Sequence, residues 1–315
     1  MMNRYLPEGG LFATPENREF ITSQAGLERA MREGRILEGM ALKCDGGMNL
    51  TVDLCGVRGV MPREEMAYFP DGSAVKDIAV ITRVGKPVCF KVIGFGRDGD
   101  GRTVAFLSRR AAQVECMEQF LMDLIPGDVL SAKVTHMEQF GAFVDIGCGI
   151  VSLLPVDSIS VSRISHPKDR FKVGMPLRVV IKSIDRDTGR IYVTHKELLG
   201  TWEENVAMFS IGQTVAGVVR SVEDYGIFVE LTPNLAGLAE YREGVEVGQC
   251  AAVYVKNIVP ERMKVKLVIV DTQKNEIFSS EPNYLDGGVL HMDRWEYSPA
   301  ACSKRVFSDF REFLL

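Results

Sequence analysis

The octapeptide FGAFVDIG at residues 140–147 returns at 225–232 as YGIFVELT. Each copy opens on an aromatic and a glycine and then alternates. Ala142, Val144 and Ile146 share one face of a strand, with Phe143 and Asp145 on the other; Ile227, Val229 and Leu231 repeat the apolar face and leave Phe228 beside Glu230 on the polar one. The surroundings repeat as well. PGDVLSAKVTHMEQ precedes the first copy and IGQTVAGVVRSVED the second, and each is followed by a link and by a second alternating pair, RVVIKSIDRDTGRIYVTHK and AAVYVKNIVPERMKVKLVIV. A chain that repeats at this scale is built from copies of one unit. Each unit reads as three short strands, a brief link and a closing hairpin. Five short strands in about 70 residues favour a small closed barrel over a sandwich, because closure leaves no strand edge exposed.

A weaker third copy lies upstream. VDLCGVRGVMP at 52–62 aligns with VDIGCGIVSLLP at 144–155 with one residue deleted, and VCFKVIGFGRDGDGRTVAFLSRR supplies its hairpin. Met48 and Thr51 stand where the second copy has Phe140 and Phe143. The expected organisation is an N-terminal helical extension (1–35), a first barrel (36–110), a helical linker (111–125), a second barrel (126–198), a linker (199–210), a third barrel (211–271) and a tail (272–315). Ser23 and Gly34 are placed to cap a helix over QAGLERAMRE, and SRRAAQVECMEQFLMDL has helical spacing up to Pro126-Gly127. LLGTWEENVAMF is a shorter helix of the same kind. The tail is too short and turn-rich for a domain, so Trp295, Tyr297 and Phe307 are expected to pack it against another part of the molecule.

Charge bears on what the barrels can bind. The net charge of −5 is unlike the basic surface usual in nucleic-acid binders, but Lys+Arg against Asp+Glu stands at 11 to 9 over 36–110, 10 to 8 over 126–198 and 6 to 8 over 211–271. The acidic excess lies mainly outside the first two barrels. Screening confines charge effects to about 8–10 Å, so a weakly basic barrel between acidic connectors can still hold an anion. Seven scattered cysteines without a C-x-x-C pair fit reduced packing residues, and four isolated histidines give no metal-ligand spacing. No cofactor or metal is expected. The N-terminus lacks a basic-then-apolar leader and no run is long enough to span a bilayer, which predicts a cytoplasmic protein with no membrane partner.

A phenylalanine placed twice on the polar face of a strand needs a reason. Single-stranded RNA offers base faces, on which aromatic rings stack, and phosphates, which Lys and Arg neutralise. Phe140 and Phe143, with Lys182, Arg190, Tyr192 and Lys196 brought to a neighbouring edge by the closing hairpin, form a candidate stacking platform with a cationic rim. A small hydrophobic cluster beneath a loop would use the same residues, but recurrence at the same phase favours a selected surface.

The pattern GDV, FGAFVDIG, LLPVDSIS and IDRDTGRIYVTHK resembles the S1-type RNA-binding repeat, a five-stranded OB-fold barrel, over about 70 residues, the span of one such barrel. With GVRGVMP in the first copy and LSRRAA opening the linker helix, the wider arrangement resembles the ribosomal protein S1 homologues of Gram-positive bacteria. The resemblance implies a mainly β chain of three tandem OB-fold barrels joined by short helices. It implies an RNA surface at Phe140, Phe143, Asp185 and Arg190, with Pro155 where the family often has histidine. In the third copy Tyr225 and Phe228 are retained, Val259 replaces the Asp, and Lys264 takes the place of the Arg. The aromatic-free first copy is expected to contact protein. The expected function is therefore non-enzymatic binding of single-stranded RNA, mRNA in particular, at the small ribosomal subunit. A protein-interaction scaffold, or an accessory factor in RNA decay or transcription, would use the same fold.

GFGRDG at 94–99 matches the dinucleotide fingerprint, but the following GRTVAFLS reads as a strand where that mechanism needs a helix. Its expected structure is a hairpin turn. Paired carboxylates such as Glu64-Glu65 and Glu203-Glu204 belong to no recognisable catalytic arrangement, so no enzymatic activity is expected.

Overall fold

The computed structural model describes residues 4–70, 72–274 and 282–311. Three closed five-stranded barrels follow one another. The first contains β1 (Leu37–Cys44), β2 (Leu50–Leu54), β3 (Val57–Met61), β4 (Pro87–Arg97) and β5 (Thr103–Ser108). The second contains β6 (Val129–Glu138), β7 (Gly141–Asp145), β8 (Val151–Pro155), β9 (Pro176–Asp185) and β10 (Arg190–Thr194), and the third β11 (Thr214–Glu223), β12 (Gly226–Thr232), β13 (Leu235–Ala239), β14 (Cys250–Val259) and β15 (Lys264–Gln273). Each closes in the order first, second, third, fifth, fourth strand, with the third and fifth parallel, which is the OB-fold arrangement.

The strand phase is the one the repeats predict. Ala142, Val144 and Ile146 are buried, as are Ile227 and Val229, and they point into barrels filled by Val134, Leu154, Val179, Ile181 and Val193 or by Val219, Val253, Val255, Val265 and Leu267. The glycine of the repeated motif has a steric cause. A Cβ on Gly141 would lie 2.6 Å from the Leu154 carbonyl oxygen, and one on Gly226 2.5 Å from that of Ala239. GFGRDG is a hairpin: β4 runs into β5 through a turn in which the Asp98 carboxylate accepts the Asp100 and Arg102 amides.

Ser23 caps α2 (Gln24–Glu33) and left-handed Gly34 ends it; a preceding helix, α1 (Pro15–Ile21), was not anticipated by the sequence pattern. A short α3 (Asp77–Ile81) lies within the first barrel between β3 and β4, and α4 (Arg109–Gln119) leads from β5 to the second barrel. This last helix stops at Phe120, earlier than the spacing suggests, and one tight turn carries the chain to Leu124. The second linker holds α5 (Trp202–Val206), closed by a Thr201–Glu204 capping box.

The barrels are not loosely strung. Ala112, Cys116 and Met117 of α4 share one core with Ile36 and Cys89 of the first barrel and the interior of the second. At that junction Glu8 is buried, gripped by Arg109 at 2.6 Å and Arg83 at 3.0 Å, and its own amide donates to Asp145 at 2.7 Å. Asp145 therefore does not sit on the solvent face, as strand alternation suggests; the N-terminal segment covers it. Glu230, the matching residue of β12, is likewise buried, held by Arg170 of the second barrel at 2.5 Å and Arg220 at 2.9 Å.

The described part of the tail straps the second barrel to the third. Val129 donates to the Leu290 carbonyl, Arg178 pairs with Asp286 at 2.6 Å, and the Tyr297 hydroxyl reaches the Asn234 carbonyl at 2.5 Å. Trp295 and Tyr297 are buried, as expected. Phe307 is not; it stays exposed under the Arg294 guanidinium while Phe310 fills the apolar site against Val129, Val180 and Leu198.

Candidate nucleic-acid interface

The aromatic-glycine motif makes a tight hairpin between β6 and β7. Glu138 pairs with Gly141, which puts Phe140 in the two-residue turn, and its ring is 57% exposed. Phe143 follows on the outward phase of β7, its ring edge-on to Phe140 with centroids 6.0 Å apart. The third barrel repeats this geometry: Glu223 pairs with Gly226, Tyr225 is 70% exposed, and its ring meets Phe228 edge-on at 6.1 Å.

Cross-strand pairing extends the second barrel's surface. Phe143 lies opposite His136 on one side and Leu153 on the other, and Leu153 lies opposite Tyr192. The His136 ring stacks on Phe143 at 6.0 Å. A row of His136, Phe143, Leu153 and Tyr192 thus crosses four strands, with Phe140 projecting at its end. His136 and Leu153 are absent from the sequence-derived set. A bulge between Val134 and His136 inserts one residue and turns His136 outward, so simple alternation from Val134 points it the wrong way.

The remaining candidates separate. Arg190 pairs with Asp185 at the mouth of the closing hairpin, exposed, and together with Phe143 and Tyr192 it lines a groove of about 920 Å³. Asp185 is engaged by its own turn, accepting from the Asp187 and Thr188 amides and the Thr188 hydroxyl, and these bonds hold its carboxyl below the usual range. Lys182 is exposed at the β9 bulge beside Ser183 and Tyr192. Lys196 lies beyond the opposite end of β10 from Arg190, in a turn whose carbonyl accepts the Asn234 amide of the third barrel. The rim is therefore less continuous than the sequence suggests. In the third barrel, Val259 and Lys264 pair across the hairpin as Asp185 and Arg190 do, and Lys266 takes the place of Tyr192 beside Leu238. In the first, Thr51, Val60 and Phe106 occupy the row, and Met48 packs half-buried against the core. The first barrel is thus not devoid of exposed rings: Phe106 is 39% exposed.

Residues 123–196 match the family model of the S1 RNA binding domain. The chain is 32% identical over 292 residues to small ribosomal subunit protein bS1 of Staphylococcus aureus, covering 87% of this chain and 72% of that one. It belongs to the bS1 family. The bS1 homolog of Bacillus subtilis is 31% identical over 235 residues, covering 72% of this chain and 57% of the relative. Among solved structures, a multidomain protein with nucleic acid binding domains from Streptococcus pneumoniae aligns over 75% of this chain and 73% of its own at 15% identity and a TM-score of 0.25. Within this bS1-family chain the family model falls on the barrel with the most complete aromatic row. Among the described residues no helix is long and apolar enough to cross a membrane.

Proposed function

We propose that this bS1-family chain is a non-enzymatic binder of single-stranded RNA, mRNA included, acting at the small ribosomal subunit in the cytoplasm. The second barrel carries the binding through Phe140, Phe143 and Tyr192, with Arg190 and Lys182 meeting phosphates; the third assists through Tyr225, Phe228, Lys264 and Lys266. The observation that carries this reading is the exposed aromatic row on the outer face of a barrel whose core is otherwise complete. Bases stacked on such rings contribute about 1–3 kcal/mol each and need an unpaired strand. Family membership supports the ribosomal assignment.

Fluorescence anisotropy with an oligonucleotide of about 12 nucleotides, within the span of one OB fold, tests the reading. Single strands should bind more tightly than duplex, and duplex binding as tight or tighter would overturn it. With so few cations beside the row, the salt dependence should be shallow, about two to four phosphates at a slope of about −0.7 each. Co-sedimentation with purified small subunits tests the ribosomal half independently.

A further inference from the structure

The groove that reaches Phe143, Tyr192 and Arg190 has a second wall, and that wall belongs to the first barrel. Tyr68, Phe69 and Pro70, from the link between β3 and α3, line it opposite them. The link is anchored where it faces the second barrel. The Tyr68 amide donates to the Gln113 side chain of α4, and Pro70 Cγ stands 3.4 Å from where a Cβ on Gly189 would lie, so the link touches the tip of the β9–β10 hairpin. The relative position of the two walls is fixed by the buried Glu8–Arg109 pair and the core shared through α4.

We propose that this groove takes the RNA strand onward from the aromatic row, so that the first barrel binds RNA through Tyr68 and Phe69 as one side of a composite site. The inference rests on the reading of the second barrel as a single-strand binder. Three features favour an RNA occupant. The groove is continuous with the row, sharing Phe143, Leu153 and Tyr192 with it. Its walls present aromatic rings from two sides, which suits a splayed base better than a packed side chain. Arg190 at its edge supplies a phosphate partner. The volume of about 920 Å³ lies at the upper end of the roughly 300–1,000 Å³ typical of small-ligand sites, enough for stacked bases and far too little for a duplex. A first barrel without the paired rings of the motif need not be a pure protein-docking module: its aromatics come from a link instead of a hairpin turn.

The test is ultraviolet crosslinking of the full chain to single-stranded RNA carrying 4-thiouridine, with crosslinked peptides mapped by mass spectrometry. The expected result is a crosslink within residues 64–76 in addition to those around Phe143 and Tyr192. Two variants that put a carboxylate into the groove from the first barrel, Pro70→Glu at an exposed position and Ala79→Glu at a half-buried one that packs against the first-barrel core, should weaken binding at least about fivefold, the low end of one lost stack; Pro70→Glu should melt near wild type, and the affinity of Ala79→Glu is read well below its own melt. Crosslinks confined to the second and third barrels, with both variants binding like wild type, would overturn the composite site, whether the groove then serves a protein segment or nothing. Phe143→Ala separates the two readings. If it loses affinity while the groove variants do not, only the composite site fails; if it binds RNA unchanged, the reading beneath it fails as well.

Discussion

The second and third barrels share a strand order, a hairpin turn and a pair of edge-on rings, and they part company one strand further on. Where the second barrel continues from Phe143 through Leu153 to Tyr192, the third continues from Phe228 through Leu238 to Lys266. Where His136 stacks on Phe143, Ser221 lies opposite Phe228. The inward positions of both barrels are mainly apolar; Ser152 of the second is an exception, its hydroxyl donating to the Ile191 carbonyl. The lesson is a division of labour between the two sides of each strand. The inner residues must fill a closed barrel and are tightly constrained, whereas outward positions can exchange a ring for a cation without cost to the fold.

The largest expected difference is in acid stability. His195 of the second barrel is fully buried, its Nδ1 against the Ile159 carbonyl, and burial lowers its pKa to about 4; Ile269 holds the equivalent place in the third. The folded chain keeps this imidazole neutral, while the unfolded chain protonates it below about 6.5, so the unfolded state binds more protons and stability falls as pH drops from about 6.5 to about 4. The loss should approach about 3 kcal/mol. Thermal melts of His195→Gln should start lower at neutral pH yet fall less across that window, and an equal fall in both proteins would contradict the assignment.

Next come paired substitutions within one strand. Phe143→Ala should remove about 1–3 kcal/mol of RNA affinity and leave the melt unchanged. Val144→Ala, whose side chain points into the barrel, should lower stability by about 1–3 kcal/mol and leave the affinity of the folded protein intact. An inverted result would mean that the strand phase is misassigned. Phe228→Ala should cost less affinity than Phe143→Ala, because its row ends in a lysine rather than a tyrosine. Lys266→Tyr sharpens that point: it should recover up to about 1 kcal/mol in the third barrel, measurable by anisotropy in a Phe143→Ala background. The smallest effect belongs to Thr51→Ala in the first barrel, which should change neither quantity.

Much of this was legible before any coordinates. The alternation around Phe143 and Phe228 gave the strand phase and the repeats gave five strands per barrel, because each depends on neighbours within a few residues. What escaped depends on distant partners or on broken periodicity. The bulge at Thr135 hid His136. Asp145 looks like a solvent residue until Glu8, 137 positions earlier, is folded onto it. Tyr68 and Phe69 lie in an irregular link without any period to read, and only the packing of the two barrels places them beside Phe143.

The burial of Asp145 and Glu230 gives the array a polarity. The first barrel carries Asp53 at the same position, and there the carboxylate is exposed, its oxygen accepting from the Cys55 amide. Each later barrel instead couples backwards, to Glu8 beside Arg109 in one case and to Arg170 in the other. The couplings differ, so the units are not interchangeable beads. A chain with its first two barrels exchanged would part Asp145 from the joint where the Glu8 amide meets it, and Glu230 from Arg170. Sequence order is thereby written into the joints themselves, and a strand of RNA lying along the array would meet its stacking faces in one fixed succession.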